Sequence, residues 1–159
     1  MDLKIKRMEK AKGITLPNFH HEGDVGCDIR AAEAVTVQPG QIESIDTGLK
    51  MQITKDHAGL IWEKSGLAFN HGIKTAGGVI DHGYRGEVKV AIFNAGSEPY
   101  TFARGDKIAQ ILVQKVERPE VIEVEELSSS SRGEDGFGST EVWCCRLFSF
   151  PSAPLVLCL

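Results

Sequence analysis

Short runs of alternating apolar and polar residues, separated by glycine and proline, constrain the fold more than any other feature of this sequence. The alternation is clearest at residues 3–5, 35–37, 49–53 and 88–92. Its period of two is that of a strand with one buried face. Apolar runs at residues 108–116 and 121–124 predict two further strands, and residues 65–72 predict a short helical turn. Many short strands separated by turns predict an all-β protein, folded as a barrel or a sandwich.

The composition narrows the classes of function. The chain has 159 residues, which suits one domain, or one domain with a tail. Its apolar content of 42% and charged content of 25% are those of a globular protein. The net charge of −4 disfavours a protein that coats DNA or RNA, because such proteins are usually basic. A local basic pocket for a small anion remains compatible with this charge.

The cysteines predict neither a metal site nor a disulfide framework. No CxxC pair occurs among Cys27, Cys144, Cys145 and Cys158. The first residues carry closely spaced charges and lack an apolar segment, so they do not predict a signal peptide. We therefore expect reduced thiols in a cytoplasmic protein, with the nucleus or an organelle left open.

The C-terminal part of the chain divides by composition. We expect a β-barrel domain over residues 1–127, followed by a flexible arm over residues 128–141 that opens with four serines. The arm contains RGEDGFGST, which is too rich in glycine to form a core and predicts a segment that orders on a ligand or another subunit. Residues 142–159 form an atypical apolar tail. Its two prolines argue against a membrane span, which leaves docking on an apolar groove or a non-native extension.

The segment GGVIDHGYRGE, residues 77–87, contains a candidate general base. Two apolar residues lead into Asp81, and the glycines that follow allow a tight reversal before the next strand. A carboxylate held at the end of a strand suits a general base, and Tyr84 would present a flat face beside it. The alternative is a turn residue whose carboxylate caps backbone N–H groups.

Two other segments carry the donors that a phosphate needs. In IWEKSGLA, strand residues lead into Lys64, Ser65 and Gly66, which offer an ammonium, a hydroxyl and an N–H. A plain turn with an exposed lysine is the alternative. In RGEDGFGST, Arg132 offers a guanidinium fork and Phe137 offers a face for a nucleobase. The order GxxxxGK[ST] of a P-loop is absent from the sequence.

Together these segments resemble the trimeric dUTPase family, the deoxyuridine triphosphate nucleotidohydrolases. The resemblance covers residues 3–140. Five motifs occur in the family's order: VGCDIRAA (25–32), EKSGLA (63–68), GGVIDHGYRGEV (77–88), GDKIAQIL (105–112) and RGEDGFGST (132–140). The resemblance implies a jelly-roll-type β-barrel and a homotrimer with an exchanged C-terminal arm. Each of the three active sites would be shared among three subunits.

The resemblance also implies an activity, the hydrolysis of dUTP to dUMP and pyrophosphate with Mg²⁺ as cofactor. Such a reaction limits uracil incorporation into DNA and supplies dUMP for dTMP synthesis. Asp81 would activate the attacking water as general base, and Tyr84 would pack on the deoxyribose and exclude a 2′-hydroxyl. Asp28 would help to organise the metal through water. The implied partners are dUTP and further copies of the chain, without nucleic acid or membrane.

The remaining implied contacts are with the base and the phosphates. Backbone groups would read the uracil edge at Gly78, Val79 and Ile80. Phosphates would bind to Lys64, Ser65, Gly66 and Gln110. In the arm, Phe137 would cover the uracil, Gly138 would lie against the substrate, and the terminal phosphate would be held by Arg132, Ser139 and Thr140.

Several positions depart from the family's usual pattern. Glu63 and Lys64 stand where the second motif usually has proline and arginine. Lysine keeps the charge but loses the bidentate fork, so we expect a different grip on phosphate. Asp135 stands where the fifth motif usually has glycine, which adds negative charge beside the phosphates and predicts weaker closure of the arm.

Two other functions remain open on the same fold. A dCTP deaminase needs a glutamate in the strand after the hairpin, where this chain has Ala91. A non-catalytic trimer that binds another protein would not need the catalytic side chains, and the presence of Asp81, Arg132 and Phe137 argues against it.

Overall fold

The computed structural model describes residues 2–134, and the chain divides into two units, Met1–Pro119 and Glu120–Leu159. Ten strands are present in the described part of the first unit. They are β1 (Lys4–Arg7), β2 (Cys27–Arg30), β3 (Val35–Val37), β4 (Ile42–Gln52), β5 (His57–Trp62), β6 (Ile73–Ala76), β7 (Val79–Asp81), β8 (Glu87–Asn94), β9 (Tyr100–Phe102) and β10 (Lys107–Lys115). A 3₁₀ turn spans Glu9–Ala11, and one helix, α1, spans Ser65–His71.

The strands form two four-stranded sheets and one pair, and every pairing is antiparallel. The first sheet has the order β1-β4-β8-β6, the second has the order β2-β10-β5-β7, and β3 pairs with β9. The predicted all-β class is therefore confirmed. The alternating segments of the sequence account for β1, β3, β4 and β8, and the apolar run at residues 108–116 accounts for β10.

One apolar core joins the three sets of strands. Along β8, Val88, Val90 and Ile92 are buried while the residues between them face outward, as a period of two requires. These side chains pack in one cluster with Ile111 of the second sheet and Phe102 of the β3–β9 pair. Burial of each large aliphatic side chain stabilises the fold by about 1.5–3 kcal/mol, so this shared core holds the sheets together.

Helix α1 confirms the helical turn expected at residues 65–72. It ends at Gly72, whose φ of +68° lies in the left-handed region. A Cβ at this position would lie 2.6 Å from the backbone nitrogen of Gly96, so glycine is required for both its conformation and its size. The helix begins at Ser65, after a two-residue connection that follows β5, and leads into β6 through Gly72.

The strand predicted at residues 121–124 is not formed, and this prediction is wrong. Strand β10 ends at Lys115, and Val121 is 94% exposed. Apolar residues with strand-forming propensity identify a strand only when a partner strand is present to accept their hydrogen bonds. The described residues of this chain provide no such partner.

The second unit is described as far as residue 134. Residues 120–134 contain no helix or strand, and a turn forms where the N–H of Gly133 donates to the carbonyl and the hydroxyl of Ser130. Its exposed apolar side chains are Val121, Ile122, Val124 and Leu127. The boundaries predicted at residues 127 and 141 stay predictions. None of the helices found between residues 2 and 134 is long and apolar enough to cross a membrane.

Candidate active site

A groove at the end of the second sheet brings together the residues expected to bind phosphates. Its volume is about 380 Å³, and its lining includes Lys64, Ser65, Gly66 and Gln110. Lys64 to Gly66 lie at the junction between β5 and α1, and Gln110 lies in β10, which pairs with β5. Ser65 and Gly66 are exposed and line the groove.

A buried carboxylate holds two lysines beside this groove. The two oxygens of Asp28 lie 2.5 Å from Lys64 Nζ and 2.5 Å from Lys107 Nζ. Burial acts to raise the pKa of Asp28, but hydrogen bonds and charge from Lys107 and Lys64 outweigh it and hold the pKa below its usual value. The carboxylate therefore stays ionised and keeps two ammonium groups a few ångströms apart.

Lys107 was not identified as a site residue from the sequence, and a β-bulge explains why. Gln110 pairs with Asp28 across β10 and β2, so their side chains share a face. Three residues earlier in a regular strand, Lys107 would face the opposite side. The register shifts between Lys107 and Ala109, which returns the lysine to the face of Asp28. The lysine in GDKIAQIL was the available signal, and the bulge could not be read from it.

Gln110 is fixed by its backbone surroundings. Its side-chain Nε2 donates to the carbonyl of Glu63 at 3.0 Å, which ties β10 to the residue before Lys64. A Cβ on Gly26 would collide with the Gln110 side chain, so the glycine at this position leaves the space that the glutamine occupies. The donors of the groove are therefore positioned by one another.

Strand β7 is an edge strand whose outward main-chain groups can form hydrogen bonds with a planar ligand. It lies at the end of the second sheet, and the Ile61 N–H donates to the Gly78 carbonyl at 2.8 Å. Because hydrogen-bonded pairs alternate along an antiparallel ladder, the N–H and carbonyl of Val79 point away from β5. Gly78 has φ of +134°, and a Cβ there would lie 2.8 Å from the Ile61 carbonyl oxygen.

Asp81 and Tyr84 lie on the turn that follows β7. Asp81 is exposed at the end of the strand, and its carbonyl accepts a hydrogen bond of 3.0 Å from the Tyr84 N–H. The Tyr84 hydroxyl donates to the carbonyl of Glu87 at 3.0 Å, and its ring lies against Gly86, where a Cβ would collide with it. The tyrosine ring is thus held in one orientation while 44% of its surface stays exposed.

The predicted general base and the phosphate groove lie apart within one chain. Along β5, Asp81 pairs with Ala58 and Gln110 pairs with Trp62. Four residues of extended strand separate these two positions by about 13 Å. One chain therefore presents the groove and the turn of residues 77–87 as separate surfaces. This turn is called the hairpin below, although β7 and β8 lie in different sheets and do not pair with each other.

Of the residues expected to act from the arm, the structure describes only Arg132. Arg132 lies in the described part of the second unit. Phe137, Gly138, Ser139 and Thr140 lie outside the described residues, so their expected contacts stay predictions. Ala91 lies in β8, paired with Ser44 and Ala76, so this position brings no carboxylate to the strand after the hairpin.

The groove suits a magnesium ion that arrives bound to a triphosphate, because its hydrogen-bond donors bind phosphate oxygens rather than the metal. Both oxygens of Asp28 are paired with lysines, and residues 2–134 contain no group of three histidine, cysteine or acidic side chains able to hold a metal ion. Mg²⁺ in nucleotide sites is commonly bound through phosphate oxygens, water and one or two carboxylates. If Lys64 and Lys107 turned toward the phosphates, Asp28 would offer its carboxylate for such a contact through water.

Proteins of one family resemble this sequence along most of its length. The dUTPase family model matches residues 12–141. A deoxyuridine 5′-triphosphate nucleotidohydrolase of Anaeromyxobacter sp. (strain Fw109-5) is 45% identical over 141 residues, which cover 87% of this chain and 96% of the relative. The enzyme of the same name from Caldanaerobacter subterraneus is 44% identical over 144 residues, covering 88% of this chain and 97% of the relative.

Solved structures of dUTPases share the fold. A mutant of the Staphylococcus bacteriophage 80alpha dUTPase with dUpNHpp superposes with a TM-score of 0.81 at 28% identity, covering 89% of this chain and 99% of the other. A mutant of the dUTPase from phage phi11 of S. aureus, described with a structural Mg(II) ion, gives a TM-score of 0.72 at 25% identity over 79% of this chain and 98% of the other. By the family match and these relatives, this chain belongs to the dUTPase family.

Proposed function

We propose that the chain hydrolyses dUTP to dUMP and pyrophosphate in a Mg²⁺-dependent reaction. The observation that carries the proposal is the phosphate groove, where Lys64 and Lys107 converge on Asp28 beside Ser65 and Gln110. Two ammonium groups with hydroxyl and amide donors match the charge and the acceptors of a polyphosphate. In a cell this reaction would limit uracil incorporation into DNA and supply dUMP for dTMP synthesis.

The phosphates would replace the buried Asp28 carboxylate as the partners of the two lysines. Lys64 and Lys107 are about 30% and 32% exposed, so their ammonium groups are within reach of a ligand in the groove. If they turned toward phosphate oxygens, the Asp28 carboxylate would be free to hold Mg²⁺ through water. When bound, the metal ion neutralises phosphate charge in the transition state. The residues of the groove orient the chain of phosphates so that attack is in line.

The base and the sugar would be selected by the hairpin. The outward N–H and carbonyl of Val79 offer a donor and an acceptor to the uracil edge, while Gly78 and Ile80, whose main-chain groups face β5, hold Val79 in place. A 5-methyl group would meet the close backbone, which disfavours thymine. The Tyr84 ring would pack on the deoxyribose and leave no room for a 2′-hydroxyl, and Asp81 would take the proton of the attacking water.

The separation of hairpin and groove supports assembly of the site from several chains. We infer a homotrimer of jelly-roll-type barrels, in which the hairpin of one subunit faces the groove of another. The arm over residues 128–141 would come from a third subunit and bring Arg132, Phe137, Gly138, Ser139 and Thr140 over the nucleotide. Its closure would exclude bulk water from the reacting phosphate. The exposed apolar side chains between residues 121 and 127 are compatible with such an assembly.

Pyrophosphate release with Mg²⁺ tests the proposed function directly. The purified chain is incubated with dUTP and, in parallel, with dCTP, dTTP and UTP. Release from dUTP alone is expected, because base and sugar are selected by separate parts of the hairpin. Ammonia release from dCTP would point instead to a deaminase. If neither the full chain nor a chain ending at Thr140 acts on any nucleotide, the proposed hydrolysis is wrong.

A further inference from the structure

We propose that Glu63 is a positioning residue that clamps the phosphate groove to strand β6. The inference rests on the proposed function, because it assigns to Glu63 the placement of two groups expected to bind phosphates. Glu63 lies between the end of β5 and Lys64. It reaches across to β6 with its side chain and to β10 with its carbonyl.

Four interactions converge on Glu63. Its carboxylate accepts from Lys74 Nζ at 2.8 Å and from the Thr75 hydroxyl at 3.2 Å, and both donors belong to β6. Its own N–H also bonds the carboxylate, which shapes the turn locally. Its carbonyl accepts from Gln110 Nε2 at 3.0 Å. A residue fixed at both its side chain and its backbone leaves little freedom for its neighbours.

The clamp sets the position of two donors at once. Lys64 is the next residue, and its carbonyl accepts from the Ala68 N–H in the first turn of α1, so a shift at Glu63 would move the start of the helix. Gln110 loses a hydrogen-bond acceptor if the Glu63 carbonyl rotates away. Phosphate-binding groups act through precise placement, and small displacements weaken them.

Lys74 also removes an electrostatic conflict. A carboxylate one residue from Lys64 would repel a bound triphosphate if its charge stood alone. The hydrogen bond from Lys74, with others from the Glu63 backbone and Thr75, holds the pKa of Glu63 below its usual value. The glutamate is therefore ionised, and the neighbouring ammonium compensates its charge.

This arrangement explains how the motif works without its usual proline. A proline would restrict the backbone at this position through its ring, which fixes φ. Glu63 restricts the backbone through contacts with β6 instead. Within residues 2–134, the Glu63 N–H donates to the residue's own carboxylate and to no other residue. Replacement by proline therefore removes no hydrogen bond between residues.

Steady-state kinetics with dUTP and Mg²⁺ on four variants test the clamp. Glu63→Ala is expected to raise KM for dUTP about tenfold, with a smaller change in kcat, since it loosens groups that hold the phosphates. Lys74→Met is expected to raise KM further, because it leaves an uncompensated carboxylate beside the groove. The double variant is expected to bind dUTP better than Lys74→Met alone. Glu63→Pro is expected to keep KM within about twofold of the parent chain.

Controls separate positioning from stability and from the proposed function. Glu9→Ala removes a similar but exposed ion pair with Lys12, and it should leave KM unchanged. Melting temperatures are compared for every variant. If the parent chain hydrolyses dUTP while both Glu63→Ala and Lys74→Met keep its KM, the clamp is wrong. If the parent chain does not act on dUTP, the proposed function fails before the clamp is tested.

Discussion

Two glycines of the hairpin, Gly83 and Gly86, differ in whether a side chain could replace them. Gly86 lies under the Tyr84 ring and leaves no room for a Cβ, whereas a Cβ on Gly83 would meet nothing within 4 Å. The sequence shows both as glycines of one motif. Only the packing of the tyrosine shows which of them orients a site residue.

Gly86→Ala should therefore reduce sugar selection. The added methyl group displaces the Tyr84 ring, which opens space for a 2′-hydroxyl. The ratio of kcat/KM for dUTP to kcat/KM for UTP should fall about tenfold, which corresponds to about 1.4 kcal/mol. Gly83→Ala is the matched control and should keep the parent ratio. If both variants had the same ratio of kcat/KM for dUTP to kcat/KM for UTP, the orientation of Tyr84 would not determine sugar selection.

Asp81→Asn should abolish turnover without weakening the fold. The side chain is exposed at the end of β7, so an amide of the same shape costs little stability. Loss of a general base lowers kcat by about 100- to 10,000-fold. Calorimetric titration with a non-hydrolysable dUTP analogue should give an affinity close to that of the parent chain. Turnover near the parent rate would show that another group takes the proton.

Strand position was predictable where one face is buried, and contacts between strands were not. The period of two located β4 and β8 because their alternate residues pack in the core. The apolar run at residues 121–124 failed as a predictor, because such a run carries no information about a partner strand. The groove residues were predicted from motifs, but Lys107 depends on a bulge and Glu63 depends on contacts with β6. Neither contact has a local sequence signal.

An ion-pair network joins the 3₁₀ turn to the first sheet and should make stability depend on acid. Asp46 in β4 bonds Lys10, and its second oxygen lies 2.9 Å from Lys89 of β8. Lys10 also lies 2.7 Å from Glu87, which anchors the base of the hairpin. The hydrogen bonds from Lys10 and Lys89 hold the pKa of Asp46 below its ordinary value of 3.8.

The sign of the pH effect follows from this lowered pKa. The unfolded chain binds a proton at Asp46 more readily than the folded chain, so the stabilisation is complete well above pH 3.8 and is lost as the pH falls through the folded value. Urea unfolding between pH 7 and pH 3 should show a shallower acid decline for Asp46→Asn than for the parent chain. Parallel declines in the two proteins would remove Asp46 from the acid response.

The arrangement of the site predicts complementation between chains. The hairpin and the groove are about 13 Å apart along β5, so an inactive hairpin and an inactive groove can reside on different subunits. Asp81→Asn and Gln110→Ala are each expected to be inactive as pure proteins. After mixed refolding, about a quarter of the sites in random trimers should combine two intact surfaces. Recovered activity near that fraction supports shared sites, and none at all would contradict them.

The open edge of β7 has a consequence for how the protein can change under selection. Main-chain atoms at Val79 would read the base, and every amino acid except proline supplies the same N–H and carbonyl. A point mutation at Val79 itself therefore has little means of abolishing base recognition, whereas replacement of Gly78 moves the strand, because its backbone approaches Ile61 closely. An inhibitor that mimics uracil at this edge would meet resistance chiefly through changes that also damage the enzyme.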